Sequence, residues 1–157
     1  MESLFLAIEK GDIRSVRTIL DSDNKININA SNSQGWTAIM CASYFGYDNI
    51  VKLLLEKNAD INLENIFGST SFVLAVIKGH AQVVETFLNL GVNLDKQDKA
   101  GGTALMYAAS RGHFDLVKML LERGADPKVQ DNEGEIAWMY AEEKGHNKVA
   151  QLLKECG

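Results

Sequence analysis

His80, His113 and His146 are the side chains of this sequence best suited to acid–base or metal chemistry near neutral pH, and they are spaced 33 and 33 residues apart. Metal ligands must lie within about 2.0–2.1 Å of one ion. Equivalent residues in stacked elements stand roughly 10 Å apart, the usual spacing of packed helices. A shared ion is therefore not expected, and the histidines are read as structural. Cys41 and Cys156 are the only cysteines and form no CxxC pair. They are expected as reduced thiols, with neither a zinc site nor a disulfide. Glu142-Glu143 reads as a solvated face. No nucleophile elbow is present, and the glycines form no phosphate-cradling loop. No set of residues fills the roles of acid, base and nucleophile. The expectation is a non-enzyme with no catalytic residues, no metal and no cofactor.

The histidine spacing belongs to a period that runs through the chain. Gly35, Gly68, Gly101 and Gly134 are each 33 residues apart, as are Gly46, Gly79, Gly112 and Gly145, and Ala42, Ala75, Ala108 and Ala141. Periods of this length mark stacked repeats rather than one globular core. The 157 residues divide at about 1–31, 32–64, 65–97, 98–130 and 131–157. In the first copy Ala7 and Gly11 precede Ala42 and Gly46 by 35, so two extra residues are expected around Ser22–Lys25. The formal net charge is -5, and no repeat is a basic patch. That argues against nucleic acid and anionic membrane surfaces. The N-terminal segment MESLFLAIEKGD reads as neither a signal peptide nor a transmembrane span.

Residues 32–64 show how one repeat is built. Asn32 suits an Asx-turn, and Gly35 suits a positive φ. Thr37 is placed to N-cap a helix from about Ala38 to Phe45, which Gly46 ends in a left-handed conformation. A second helix is expected from about Asp48 to Glu56, with Ile50, Val51, Leu54 and Leu55 as its apolar face. Asn58 replaces the glycine found at 91 and 124, and is expected as a left-handed cap. The chain then leads out through Asn62 to the next turn. The recurring alanines mark places where helices approach closely.

DKAGGTALMYAASRGHFDLVKMLLERGAD, residues 98–126, closely resembles the ankyrin repeat, and the resemblance covers essentially the whole chain. It implies an all-α ankyrin-repeat solenoid of stacked helix-turn-helix units with β-hairpin-like arms. The family's T-P-L-H stretch departs here to Thr37-Ala38-Ile39-Met40, Thr70-Ser71-Phe72-Val73, Thr103-Ala104-Leu105-Met106 and Ile136-Ala137-Trp138-Met139. Loss of that histidine removes a polar network and puts local rigidity in question. Glu142 stands where Ala109 was, Lys154 where Leu121 was, Ser15 at the Ile50 position and Thr18 at the Leu53 position. The first and last copies are thus expected to act as polar caps of a single domain, 1–157.

The resemblance also implies a non-enzymatic protein–protein interaction module, an adaptor, scaffold or inhibitor. It would bind a folded protein through arm tips and the concave helix face. Those positions hold Trp36, Tyr44, Phe45, Ile66, Phe67 and Ile77, an unusual density of apolar bulk. Exposed aromatics cluster at interaction sites. The alternative is that Trp36 and Phe45 fold inward between repeats. Lys78, Lys99 and Arg111 form an expected basic flank that steers an acidic partner. The competing function is a self-associating subunit using the same patch. A cytoplasmic monomer is expected, with a homodimer as the alternative. Asn62 and Asn93 occupy positions that in some ankyrin proteins resemble substrates for asparaginyl hydroxylation, or are ordinary turn residues.

Overall fold

The computed structural model describes residues 2–22 and 26–157. The extra residues expected near 22–25 fall largely at 23–25, outside the described residues. Ten helices form among the described residues, in five consecutive pairs. They are α1 (Glu2–Glu9), α2 (Ile13–Ser22), α3 (Ala38–Phe45), α4 (Asp48–Glu56), α5 (Ser71–Lys78), α6 (Ala81–Asn89), α7 (Ala104–Ser110), α8 (Phe114–Glu122), α9 (Ala137–Glu143) and α10 (Asn147–Cys156). The chain divides into two compact units, Met1–Thr86 and Phe87–Gly157.

In the first unit α3 packs beside both α1 and α5, and α2 packs on α4. In the second, α7 packs beside α9. Ala42, Ala75, Ala108 and Ala141 are fully buried near the middle of α3, α5, α7 and α9. A methyl is the largest group such close approach tolerates without strain. On α4, Ile50, Val51 and Leu54 are inward as the spacing predicts, but Leu53 is buried in place of Leu55, which is half-exposed. A residue three after Ile50 shares its face as well as one four after. The expected polar substitutions meet solvent: Thr18, Glu142 and Lys154 are exposed, and Glu142 pairs with Lys154 at 2.8 Å.

The helix boundaries follow local chemistry. Gly46 and Asn58 adopt φ of 80° and 62°, closing α3 and the turn after α4 in the left-handed region. Thr37 sits at the N-cap, yet its hydroxyl is buried without a partner among the described residues. Instead the Met40 thioether accepts the Thr37 amide at 3.5 Å, and Met106 does the same for Thr103 at 3.4 Å. Methionine thus restores one link at the place where the family's histidine is missing. Each arm is a hairpin-like turn rather than a ladder, and the one isolated β-bridge among the described residues joins Ser31 and Thr37.

Ser71 leaves an avoidable defect. Its hydroxyl is buried with no partner among the described residues, at the first position of α5. The amide there has no intrahelical acceptor, so proline is tolerated. Thr70, at ψ 168°, already has the extended backbone that a residue before proline requires. Ser71→Pro is expected to stabilise by about 1 kcal/mol, through lower unfolded-state entropy and loss of the orphan hydroxyl. Thermal denaturation followed by circular dichroism would then show a Tm higher by about 2–4 °C. A lower Tm would mean that the first turn of α5 needs this serine.

Candidate functional site

The arm tips are built from one repeated device. Asn32, Asn65, Asp98 and Asp131 each accept two backbone amides on Oδ1, from the residues two and four further on, at 2.9–3.0 Å. These Asx-turns fix the tip, and the two residues that follow each turn residue are exposed: Ser33-Gln34, Ile66-Phe67, Lys99-Ala100 and Asn132-Glu133. Successive tips also bond to each other. The Ile66 amide donates to the Gln34 carbonyl at 3.2 Å, and the Asn132 amide to the Ala100 carbonyl at 3.1 Å. Below the tips, the Asp60 amide donates to Asn29 and the Asp126 amide to Asp95, at 2.8 and 2.9 Å. In that row Asn93 accepts the Asp95 amide, and the Asn62 amide donates to Asp60.

Where the tip residue is aspartate, its second oxygen is taken by a tyrosine nine residues on: Tyr107 donates to Asp98, and Tyr140 to Asp131. Burial first, then this bond, pushes the Tyr107 phenol well above its ordinary range. The Tyr140 bond holds the Asp131 carboxyl below its ordinary value of 3.8. A lowered carboxylate contributes stability above that value and loses it as the pH falls below. Where the tip residue is asparagine, the same later position holds Cys41 or Leu74, which make no such bond.

The first unit gathers the aromatic candidates. Trp36 meets Tyr44 edge-on with ring centroids 5.2 Å apart, and Tyr44 meets Phe45 edge-on at 5.5 Å. Phe45 stacks on Tyr47 at 5.9 Å. The Lys78 ammonium lies 4.7 Å above the Tyr44 ring, a cation–π arrangement. Trp36, Tyr44 and Ile77 are half-buried, while Phe45, Ile66 and Phe67 are 41%, 43% and 61% exposed. Trp36 therefore folds partly inward, and Phe45 does not. Ile66 and Phe67 stand side by side on the Asn65 tip. Lys99 and Arg111 belong to the second unit, both exposed, Lys99 on the Asp98 tip and Arg111 at the end of α7.

Tyr47 is the member of this cluster that sequence reasoning missed. The signal was present: Tyr47 precedes His80 by 33 and so holds the histidine position of its repeat. Its ring covers Gly11, where an added Cβ would meet it at 2.9 Å. The His80 ring covers Gly46 in the same way, and His146 covers Gly112, each at 2.5 Å from an added Cβ. His80 Nε2 bonds the Tyr44 carbonyl at 2.9 Å, and His146 Nε2 bonds the Ser110 carbonyl at 3.2 Å. The His80 imidazole thus ties the third repeat to the second and His146 the fifth to the fourth, the structural role that the spacing predicts. Among the described residues, no three His, Cys, Asp or Glu side chains are grouped to hold a metal. Cys41 and Cys156 are both free thiols. Burial, helped by the charge of Glu9, pushes the Cys41 thiol up to about 12, so it carries no nucleophilic thiolate near neutral pH.

Paired helices joined through equivalent positions, with exposed tips and an exposed ring cluster, define a helical-repeat protein. The family model for ankyrin repeats (3 copies) matches residues 1–65 and again 72–157. The chain belongs to the ankyrin repeat family. Repeats of this family generally mediate protein–protein interaction, and its members are typically non-enzymatic. No helix among the described residues is long and apolar enough to cross a membrane.

Proposed function

We propose that the chain is a cytoplasmic adaptor, scaffold or inhibitor that grips a folded protein through the arm tips and inner helix ends of its first unit. The observation that carries this reading is the unbroken chain of ring contacts from Trp36 through Tyr44 and Phe45 to Tyr47, beside the exposed Ile66-Phe67 tip. Such a surface offers a rigid apolar centre that gains much area for few frozen rotors. An exposed group of this kind is a marker of interaction sites in soluble proteins. Lys78 on this unit supplies positive charge that favours encounter with an acidic partner, and Lys99 and Arg111 add exposed cations on the second unit. The five repeats are read as one domain, with the first and last as its caps.

A pull-down from lysate tests the reading, with wild type beside a Phe45→Glu, Phe67→Glu double variant. Both side chains are exposed, so circular dichroism should show unchanged helicity. A protein held by wild type and lost by the variant supports the proposed face. Equal retention by both would sink it. Sedimentation over a range of concentrations addresses self-association. A mass that doubles in wild type and stays monomeric in the variant would assign the patch to a homodimer instead.

A further inference from the structure

Charge at the proposed face is arranged as specifically as its apolar area. Lys10, Phe45 and Lys78 hold one position in three consecutive repeats, each directly before an interhelical glycine of positive φ, Gly11, Gly46 or Gly79. Lys10 follows the last residue of α1, while Phe45 and Lys78 end α3 and α5. Because α3 packs between α1 and α5, the aromatic position is flanked by a lysine position on either side. All three side chains are exposed. A helix C-terminus favours a cation there, which explains why lysine is tolerated at two of these ends. It does not explain why these lysines lack carboxylate partners.

Two other lysines of the same unit are paired with carboxylates. Lys52 pairs with Asp48 at 2.7 Å, and Lys57 with Asp21 at 2.6 Å. Among the described residues Lys10 and Lys78 have no carboxylate within ion-pair reach, although Glu9 adjoins Lys10 in sequence and the chain as a whole carries -5. Among the described residues, the charge-directed contact of Lys78 is with the Tyr44 ring. Two cations with no carboxylate partner among the described residues therefore bracket a ring surface, an arrangement complementary to acid–apolar–acid.

We propose that this face takes an acidic segment of a partner protein, with an aromatic or aliphatic anchor on Phe45 and Tyr44 and carboxylates directed at Lys10 and Lys78. The inference rests on the binding face proposed above and names the chemistry of its partner. Packed helices lie about 8–10 Å apart, so lysine positions two helices apart stand roughly 16–20 Å from each other. An extended chain rising about 3.3 Å per residue covers that span in five or six residues. The expected ligand therefore has acidic residues about that far apart with the anchor between them.

A phage-displayed library of random 16-residue peptides, selected on the full chain, tests this. The expected result is enrichment of peptides with an aromatic or aliphatic residue between acidic ones. Binding of the synthesised winners, followed by fluorescence anisotropy, should weaken at least about tenfold in a Lys10→Glu, Lys78→Glu variant and fall steeply with salt. Phe45→Glu should abolish it. Enrichment with no acidic bias that is still lost on Phe45→Glu would keep the face and overturn the acidic partner. Enrichment unaffected by Phe45→Glu would overturn both. No enrichment, alongside binding of the protein to vesicles containing phosphatidylserine, would overturn the peptide in favour of a lipid surface. Absence of both kinds of binding also counts against it.

Discussion

Gly101→Ala is expected to destabilise the protein by about 3 kcal/mol, against about 1 kcal/mol for Gly134→Ala. The two glycines hold the same place in successive arm tips and share nearly the same backbone, φ 82° and 85°. A side chain resists that conformation at either position, and this common strain sets the smaller cost. The surroundings differ. A Cβ on Gly101 would lie 2.6 Å from the Asn132 amide nitrogen and 2.8 Å from the Asp131 Cα. Those atoms are backbone, held by the Asp131 Asx-turn and by the Asn132 amide bond to Ala100, so they cannot swing away. A Cβ on Gly134 would meet nothing within 4 Å. Urea denaturation of both variants, with m-values compared to confirm similar unfolding, would measure the difference. Equal midpoints would mean that the tips of the second unit do not pack as closely as described. Gly35 faces the Asn65 backbone at 2.9 Å, so the first unit uses the same fit.

Leu105→Ala should cost about 3 kcal/mol, within the range of 2–5 kcal/mol for deleting a buried leucine side chain. Leu105 is fully buried on α7, which packs beside α9. Shortening it to a methyl removes dispersion contacts, and the stacked helices cannot collapse freely to fill the space. Trp138 holds the equivalent place on α9 but is only half-buried. It lines an open apolar groove with Pro127, Ile136 and Leu153, and the Lys154 ammonium lies 4.4 Å over its ring. Trp138→Ala removes a larger side chain yet is expected to cost less, about 1–2 kcal/mol, because water already reaches part of the ring. Guanidinium denaturation of the two variants gives the comparison. A larger loss for Trp138→Ala would show that the groove behaves as core.

Repeat length, the helix pairs and the left-handed positions are legible in the residues alone, because these depend on neighbours within a turn or two. The bounds of α3 and α4 coincide with those read from residues 38–45 and 48–56. Asn32, Gly35, Gly46 and Asn58 each supply a conformation that its own side chain, or the lack of one, favours. Tertiary structure decided what those positions touch. Thr37 did not become the hydroxyl cap its type favours, since the Met40 sulfur takes the amide and the hydroxyl is buried. Phe45 remained outside while Trp36 turned partly in, and Tyr47 joined them by covering Gly11. A glycine that is merely a turn when read alone becomes a seat for the next repeat's ring once the repeats stack. Which face an aromatic shows depends on residues some 33 positions away, and local pattern does not encode the approach of those neighbours.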